Sequence, residues 1–143
     1  MDVSVLTFFY GSFINPDVLA QVGLVPAEVE VARLPGFDIR IEPLANLVRS
    51  ERDCVYGIVT RPTHAELARL YSQDWVGTYL PEAVLVQTLD GRWQPALCYI
   101  APSPRRSAAA NDYIDRIAGP ARELGFPAWY IERLESFRPR PAR

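Results

Sequence analysis

The stretch VSVLTFFYGSF, residues 3–13, determines how the chain begins to fold. Its first part is rich in β-branched and aromatic side chains, so we predict a buried strand over residues 3–9. The segment NPD at 15–17 supplies a capping residue, a proline for the first helical position and an acid for the first turn. We therefore expect a short helix over residues 16–22. The loop at 10–13 would then join a strand to a helix.

More strands are predicted in the first half of the chain. Residues 28–34 alternate polar and apolar side chains, as a half-buried strand does. Pro-Gly at 35–36 predicts a turn, and residues 37–41 predict the next strand. The run DCVYGIVT at 53–60 predicts another strand, in which Gly57 marks a bulge or a close approach of two backbones.

The middle of the chain carries two clear signals. THAE at 63–66 has the spacing of a capping box, so we predict a helix that begins there and ends near Ser72. Residues 79–89 and 93–100 are β-rich runs separated by Asp-Gly, which is a strong hairpin signal. This pair of strands is expected to be antiparallel.

The last third of the chain is predicted to be helical. We expect helices over residues 107–124, bent near Gly119-Pro120, and over 127–137, followed by a frayed arginine-rich end at 138–143. No repeat or interdomain linker interrupts the sequence, so residues 1–143 are expected to form one domain. Strands that come first and helices that gather at the end indicate an α+β fold with a curled or closed sheet.

Composition excludes several classes of function. The 143 residues carry a net charge of −2, which gives no support for binding to nucleic acid or to an anionic membrane. No apolar run reaches the about 18 residues of a membrane span, and the N-terminus lacks the basic segment of a signal peptide. Cys54 and Cys98 are too few for a disulfide framework and are expected to be reduced and structural. We expect a cytoplasmic protein.

The inventory of reactive side chains narrows the chemistry. All 15 basic residues are arginine, which removes Schiff-base chemistry and the phosphate-loop lysine. His64 is the only histidine, and its place in the capping box favours an exposed residue at a helix start. An enzyme built from this chain is therefore expected to use a carboxylate as its acid or base.

Two places along the chain are candidates for a site. Glycine in the loop at 10–13 allows a tight turn and a close approach to a ligand, and free N–H groups there can hold an anion, although a plain turn is the commoner meaning. Asp74 lies just past a helix beside Trp75, where aromatic neighbours can raise the pKa of a carboxyl. The alternative is an aspartate exposed to water. Glu82 is a weaker rival.

The order of the short motifs resembles the gamma-glutamylcyclotransferase-like family. The resemblance runs from about residue 5 to residue 134 and depends on order and spacing, because each motif is short. The motifs are FYGSF at 9–13, VYGIV at 55–59, LARL at 67–70, Tyr79, Asp90-Gly91, ALCYI at 96–100 and ARELGFPAWYI at 121–131.

The resemblance implies both a fold and a reaction. The fold is a small mixed-sheet β-barrel with flanking helices. The reaction is the cleavage of a γ-glutamyl amide without metal or cofactor: the α-amine of the substrate attacks its own γ-carbonyl, and 5-oxoproline and an amine are released. The implied partner is a small γ-glutamyl molecule.

The resemblance also assigns site residues. A family glutamate, which moves a proton from the attacking amine to the leaving one, matches Asp74 here. The family's YGS loop cradles the γ-glutamyl group, and two family tyrosines complete the pocket. The substrate-binding residues so implied are Tyr10, Gly11, Ser12, Phe13, Tyr79 and Tyr113.

Asp74 departs from the family pattern. Aspartate is shorter than glutamate by one C–C bond, about 1.5 Å, and a misplacement of about 1 Å can cost around a hundredfold in rate. Three outcomes follow: the loop has moved to compensate, the substrate differs, or the chain binds a small molecule or a partner without turnover. An enzyme should place Asp74 in a cavity beside the loop at 10–13, whereas the binding alternative places it in solvent or in an ion pair.

Overall fold

A computed structural model describes residues 3–102 and 107–139 of the chain. Residues 103–106 of the Pro102–Ser107 stretch and the last four residues of the arginine-rich end lie outside them. The elements in order are β1 (Thr7–Phe9), a 3₁₀ turn (Ser12–Ile14), α1 (Pro16–Ala20), β2 (Glu30–Ile41), β3 (Ala45–Thr60), α2 (His64–Tyr71), β4 (Leu80–Thr88), β5 (Trp93–Ile100), α3 (Asn111–Glu123) and α4 (Ala128–Glu135).

The five strands form a closed barrel in the order β1-β3-β2-β4-β5. Four neighbouring pairs are antiparallel, and β5 closes the barrel by pairing in parallel with β1, with Thr7 opposite Leu97. The predicted mixed-sheet β-barrel with flanking helices is confirmed. Because β1 and β5 are parallel, the end of β1 lies at the same end of the barrel as the end of β5 and the beginnings of β3 and β4.

The predicted turn at 35–36 is wrong, because β2 continues through it as a single strand. Pro35 still pairs with Cys54, and the next pair joins Phe37 to Arg49, so the strand pairing shifts register at Gly36. The φ of +88° at Gly36 lies in the left-handed region that glycine tolerates, so the chain bends there without ending the strand.

The strand predicted at 53–60 is the second half of a longer one. β3 begins at Ala45, and its residues 49–53 are polar and largely exposed, so they carry no strand pattern in the sequence. β2 pairs with Ala45–Arg49 through Phe37–Ile41 and with Cys54–Val59 through Glu30–Pro35, and residues 50–53 lie between these two paired stretches. Cross-strand pairing of this kind is not visible in the composition of the strand itself.

Gly57 is the predicted point of close approach. A Cβ atom on Gly57 would lie 2.1 Å from the Phe9 carbonyl oxygen and 2.8 Å from the Phe8 ring. Only glycine lets β1 and β3 pack at this separation.

Three local predictions are confirmed in detail. The Asn15 side chain accepts from the Asp17 N–H at 2.9 Å and caps α1. In α2, the Thr63 hydroxyl accepts from the Glu66 N–H at 3.1 Å, while the Thr63 N–H donates to the Glu66 carboxylate at 2.9 Å. The hairpin of β4 and β5 turns at Asp90-Gly91.

The tail differs from the prediction at both of its ends. α3 begins at Asn111 and not at 107. Ahead of the helix, Ala109 is buried and Ala110 has extended backbone angles. Arg138 is not frayed: its guanidinium donates to Asp115 at 2.6 Å and also pairs with Glu135. These bonds tie the end of α4 to α3.

The hydroxyl of Tyr130, on α4, is buried and has no hydrogen-bond partner among the residues that the structure describes. We expect Tyr130→Phe to raise the free energy of unfolding by about 1 kcal/mol, because a buried, unsatisfied polar group costs about 1–3 kcal/mol. Urea unfolding with an unchanged m-value measures this. A fall in stability of similar size would show that the hydroxyl is hydrogen-bonded in solution.

Candidate functional site

A cavity of about 40 Å³, partly open to solvent, lies at the end of the barrel where β1 ends and β3 begins. The structure brings all six predicted substrate-binding residues to its wall. The lining residues are Phe9, Tyr10, Gly11, Ser12, Phe13, Leu44, Ala45, Tyr71, Trp75, Val76, Tyr79 and Tyr113.

Two of the lining tyrosines hydrogen-bond to the backbone of the same residue of the barrel, Ala45. The Ala45 N–H donates to the Tyr113 hydroxyl oxygen at 2.8 Å, and the Tyr79 hydroxyl donates to the Ala45 carbonyl. A third tyrosine, Tyr10, donates its hydroxyl to the Tyr99 carbonyl at 2.7 Å. These bonds connect α3, the segment before β4 and the first residue of β3, and so give the cavity a defined shape.

Gly11 is confined by protein atoms. A Cβ on Gly11 would lie 2.9 Å from the Ala45 Cβ and 3.6 Å from the Tyr113 hydroxyl oxygen. The φ of Gly11 is −102°, outside the left-handed region, so the backbone there is open to other residues. Glycine is needed at position 11 because the loop packs directly on β3.

Aromatic rings build the wall opposite β3. Phe13 makes edge contacts with Tyr71 at 5.4 Å and with Trp75 at 6.1 Å between ring centroids. Tyr71 stacks on Tyr99 at 3.9 Å, which fixes the end of α2 against β5. Rigid aromatic walls of this kind favour a small, flat ligand fragment.

The cavity wall is uncharged. Burial raises the pKa of Tyr10 and of Tyr71 well above the usual tyrosine value. Burial likewise raises the pKa of Tyr113, against the opposing effect of its bond from the Ala45 N–H. Among the described residues, no carboxylate or guanidinium lines this cavity. A negatively charged group of a ligand would therefore be held by N–H and O–H donors.

Backbone N–H groups of the loop are available as such donors. The hydrogen bonds of the described residues include none from the N–H of Gly11 or of Phe13. Both residues line the cavity. The loop can therefore offer main-chain donors to a ligand oxygen.

A larger cleft of about 520 Å³ adjoins the cavity, and Asp74 lines this cleft and not the cavity. The Asp74 residue is exposed. The two spaces share Leu44, Trp75, Val76 and Tyr79, so Trp75 and Tyr79 lie at their junction. The cleft is lined by Arg40, Glu42, Pro43, Leu44, Asn46, Asp74, Trp75, Val76, Gly77, Thr78, Tyr79, Ala101 and Pro102.

The other candidate side chains lie away from the cavity. Glu82 pairs with Arg49 on the barrel wall and lines neither space. His64 is exposed at the first position of α2, as predicted. The structure therefore leaves Asp74 and Glu42 as the carboxylates next to the cavity.

Sequence reasoning missed several residues of the site. Ala45 carries no signal, because its role comes from its peptide groups. Glu42 lies in the link between β2 and β3, which the sequence did not resolve as a hairpin. Tyr71 and Trp75 flank the segment of Asp74, and their aromatic character was the available signal.

Both cysteines are free thiols in the structure. Burial raises the pKa of the Cys98 thiol to about 12, and it also raises the pKa of Cys54. At Cys54 the nearby Arg33 lowers the pKa, but burial outweighs it, so neither pKa moves in the direction that activates a cysteine. The described residues also hold no cluster of three or more metal-ligating side chains.

We expect the native chain to leave Cys98 unreactive toward a thiol reagent at pH 8, and the denatured chain to titrate two thiols. Cys98→Ala should lower the free energy of unfolding by about 1–3 kcal/mol, because it empties part of a fully buried site. Thiol titration and urea unfolding measure the two effects. Fewer than two thiols in denaturant without reductant would contradict the structural role.

None of the described helices is long and apolar enough to cross a membrane.

The fold has close counterparts among solved structures. A human protein described as uncharacterised superposes with a TM-score of 0.82 at 24% identity, over 98% of this chain and 91% of its own. A gamma-glutamyl cyclotransferase superposes with a TM-score of 0.78 at 25% identity, over 97% of this chain and 90% of its own. No protein-family model and no curated protein matches the chain.

A more distant structure shares the fold. A gamma-glutamyl cyclotransferase from yeast, specific to glutathione, matches with a TM-score of 0.66 at 12% identity, over 95% of this chain and 97% of its own. The likeness to these structures confirms the family resemblance that the sequence motifs predicted.

Proposed function

We propose that this chain, whose fold is that of the gamma-glutamylcyclotransferase-like proteins, is an enzyme that cyclises a γ-glutamyl amide. The products are 5-oxoproline and an amine or amino acid. The observation that carries the proposal is the meeting of Tyr10, Gly11, Ser12, Phe13, Tyr79 and Tyr113 around one cavity beside the cleft of Asp74.

The two adjoining spaces suit the two halves of such a substrate. The uncharged cavity would receive the γ-glutamyl group, which is small and carries several oxygen acceptors. The larger cleft would receive the leaving amine. The bond to be cleaved would then lie at the junction of the two spaces, near Trp75 and Tyr79. Asp74 immediately precedes Trp75 in the sequence and lines the cleft.

The reaction needs one bond made and one broken. The uncharged α-amine of the substrate attacks the γ-carbonyl carbon, and a C–N bond forms. The amide C–N bond to the leaving amine then breaks. One proton leaves the attacking nitrogen and one arrives at the departing nitrogen, so no redox partner is required.

We assign the proton transfer to Asp74 and the binding of the developing oxyanion to the loop. Asp74 would act first as general base and then as general acid, as a carboxylate at the leaving-group side can do. The free N–H groups of Gly11 and Phe13 would donate to oxygens of the γ-glutamyl group.

The direct test is to incubate the purified chain with a panel of γ-glutamyl amides and to follow 5-oxoproline by mass spectrometry. The N-acetylated form of each substrate serves as a control, because it lacks the attacking amine. The proposal expects 5-oxoproline from the free substrates alone. If no member of the panel yields 5-oxoproline above a buffer blank, the enzymatic assignment is wrong.

The exposure of Asp74 favours a second candidate function, the binding of a small molecule without turnover. In that case the cavity would retain the γ-glutamyl group or 5-oxoproline, and no product would form. Calorimetric binding of 5-oxoproline together with an inactive panel would select this function over the enzyme.

We expect Asp74→Glu to raise turnover of γ-glutamyl amides, because the extra methylene restores the reach of the family's glutamate. The residue is exposed, so the longer side chain meets no buried neighbour. Comparison of kcat/KM for the two proteins on one substrate measures the effect. A fall in kcat/KM would show that the site is built around aspartate.

A further inference from the structure

The peptide groups of Ala45 are oriented away from β2. Ala45 is the first residue of β3, and its N–H and carbonyl are taken by tyrosine side chains. A backbone N–H can only donate and a carbonyl can only accept. The direction of both hydrogen bonds is therefore fixed by chemistry: Tyr113 accepts from Ala45, and Tyr79 donates to it.

The direction of each hydrogen bond decides whether the tyrosine hydroxyl can still donate to a ligand or only accept from it. A phenol carries one proton and its oxygen has lone pairs. Tyr79 has given its proton to the Ala45 carbonyl, so only its lone pairs remain for a ligand. Tyr113 has accepted from the Ala45 N–H, so its own proton remains to be donated. Both hydroxyls belong to residues that line the cavity.

Neighbouring groups do not change this polarity, in which Tyr79 is left as an acceptor and Tyr113 as a donor. No charged side chain lines the cavity, so none competes for the Tyr113 proton or the Tyr79 lone pairs. Burial raises the pKa of both phenols, so both stay protonated near neutral pH.

We propose that Ala45 sets Tyr79 as an acceptor and Tyr113 as a donor toward the ligand. The cavity would thus select a fragment that presents an N–H to Tyr79 and an oxygen to Tyr113. This inference rests on the proposed function for its substrate class: a γ-glutamyl head offers its α-amine and an oxygen in this way. The lactam 5-oxoproline offers its ring N–H and an oxygen.

The test compares 5-oxoproline with its lactone counterpart, 5-oxotetrahydrofuran-2-carboxylate, in which an oxygen replaces the ring N–H. Dissociation constants are measured by calorimetry. The native chain is expected to bind the lactam at least about tenfold more tightly, the ratio that corresponds to about 1.4 kcal/mol. The lactone would place its ring oxygen against the lone pairs of Tyr79.

Two variants separate the roles. Tyr79→Phe removes the acceptor, so the two ligands should bind equally. Tyr113→Phe removes the donor, so both ligands should weaken by a similar factor while the lactam preference remains. Tyr130→Phe, a tyrosine that lines neither space, is the matched control and should bind as the native chain does.

A further variant preserves the bond to Ala45. Replacement of Tyr79 by 4-aminophenylalanine keeps a donor for the Ala45 carbonyl and presents a second N–H to the ligand. The lactam preference should then be lost or inverted in a folded protein. If Tyr79→Phe destabilises the protein because the bond to Ala45 is lost, this variant still tests the proposal, since it retains that bond.

The proposed polarity is overturned if Tyr79→Phe retains the lactam preference, if Tyr113→Phe abolishes it instead, or if the native chain binds neither ligand or both equally. The same preparations are assayed on the γ-glutamyl amides. Turnover without a lactam preference overturns the polarity alone. A lactam preference without turnover supports the polarity and overturns the enzymatic function.

Discussion

Asp74→Asn should lower kcat/KM for γ-glutamyl amides by about 10²–10⁴-fold and leave the fold intact, because asparagine has nearly the same shape but accepts no proton. The residue is exposed and joins no ion pair among the described residues, so its neutralisation should cost little stability. Production of 5-oxoproline under subsaturating substrate measures the rate, and thermal unfolding checks the fold.

The matched control for this variant is Glu82→Gln, which also neutralises one carboxylate. Glu82 pairs with Arg49 away from both spaces, so its loss should leave kcat/KM unchanged. If Asp74→Asn turns over substrate like the native chain, Asp74 is not the base. Glu42, the other carboxylate that lines the cleft, then becomes the residue to replace.

Gly11→Val should abolish ligand binding as well as turnover. The new Cβ alone would lie 2.9 Å from the Ala45 Cβ, so the loop or the start of β3 must move. Ala45 is the anchor of both Tyr79 and Tyr113, so a displacement there disturbs three walls of the cavity at once. A shift of about 1 Å can cost around a hundredfold. Calorimetry with 5-oxoproline on the folded variant measures the loss.

Two further variants are expected to weaken ligand binding less than Gly11→Val does. Gly11→Ala introduces the Cβ without branching and should weaken binding less than valine does. Ser12→Ala should be the mildest, because the N–H of residue 12 remains. If Ser12→Ala abolishes binding while Gly11→Val is tolerated, the serine hydroxyl recognises the ligand and the packing of the loop on Ala45 is unimportant.

Local signals predicted the elements that depend on neighbours in sequence. The cap at Asn15, the capping box of α2 and the Asp90-Gly91 hairpin all use contacts within a few residues, and all three are present. The prediction of a turn at Pro35-Gly36 was wrong because the conformation there depends on a distant segment. β2 continues through these residues since it pairs with β3, and cross-strand pairing is not visible in the composition of either strand.

The site residues likewise divide into those that a local sequence motif predicted and those that only the folded chain brings into place. Tyr10, Gly11, Ser12 and Phe13 are adjacent in the chain, and their motif was sufficient to single them out. Ala45 carries no signal in its side chain, because its contribution is the N–H and carbonyl that the barrel leaves without a strand partner.

By itself the sequence determined the chemical inventory and the local structure. A chain without lysine and with one histidine is expected to take its acid–base chemistry from a carboxylate, whatever its fold. Caps, turns and motif order follow from short-range chemistry in the same manner. Only the tertiary structure decided that Asp74 lines the cleft beside the cavity, and that the N–H and the carbonyl of one alanine hydrogen-bond to two tyrosine hydroxyls. Barrel closure brings together residues as far apart in the chain as Ala45 and Tyr113, and this proximity arises only when the strands pair.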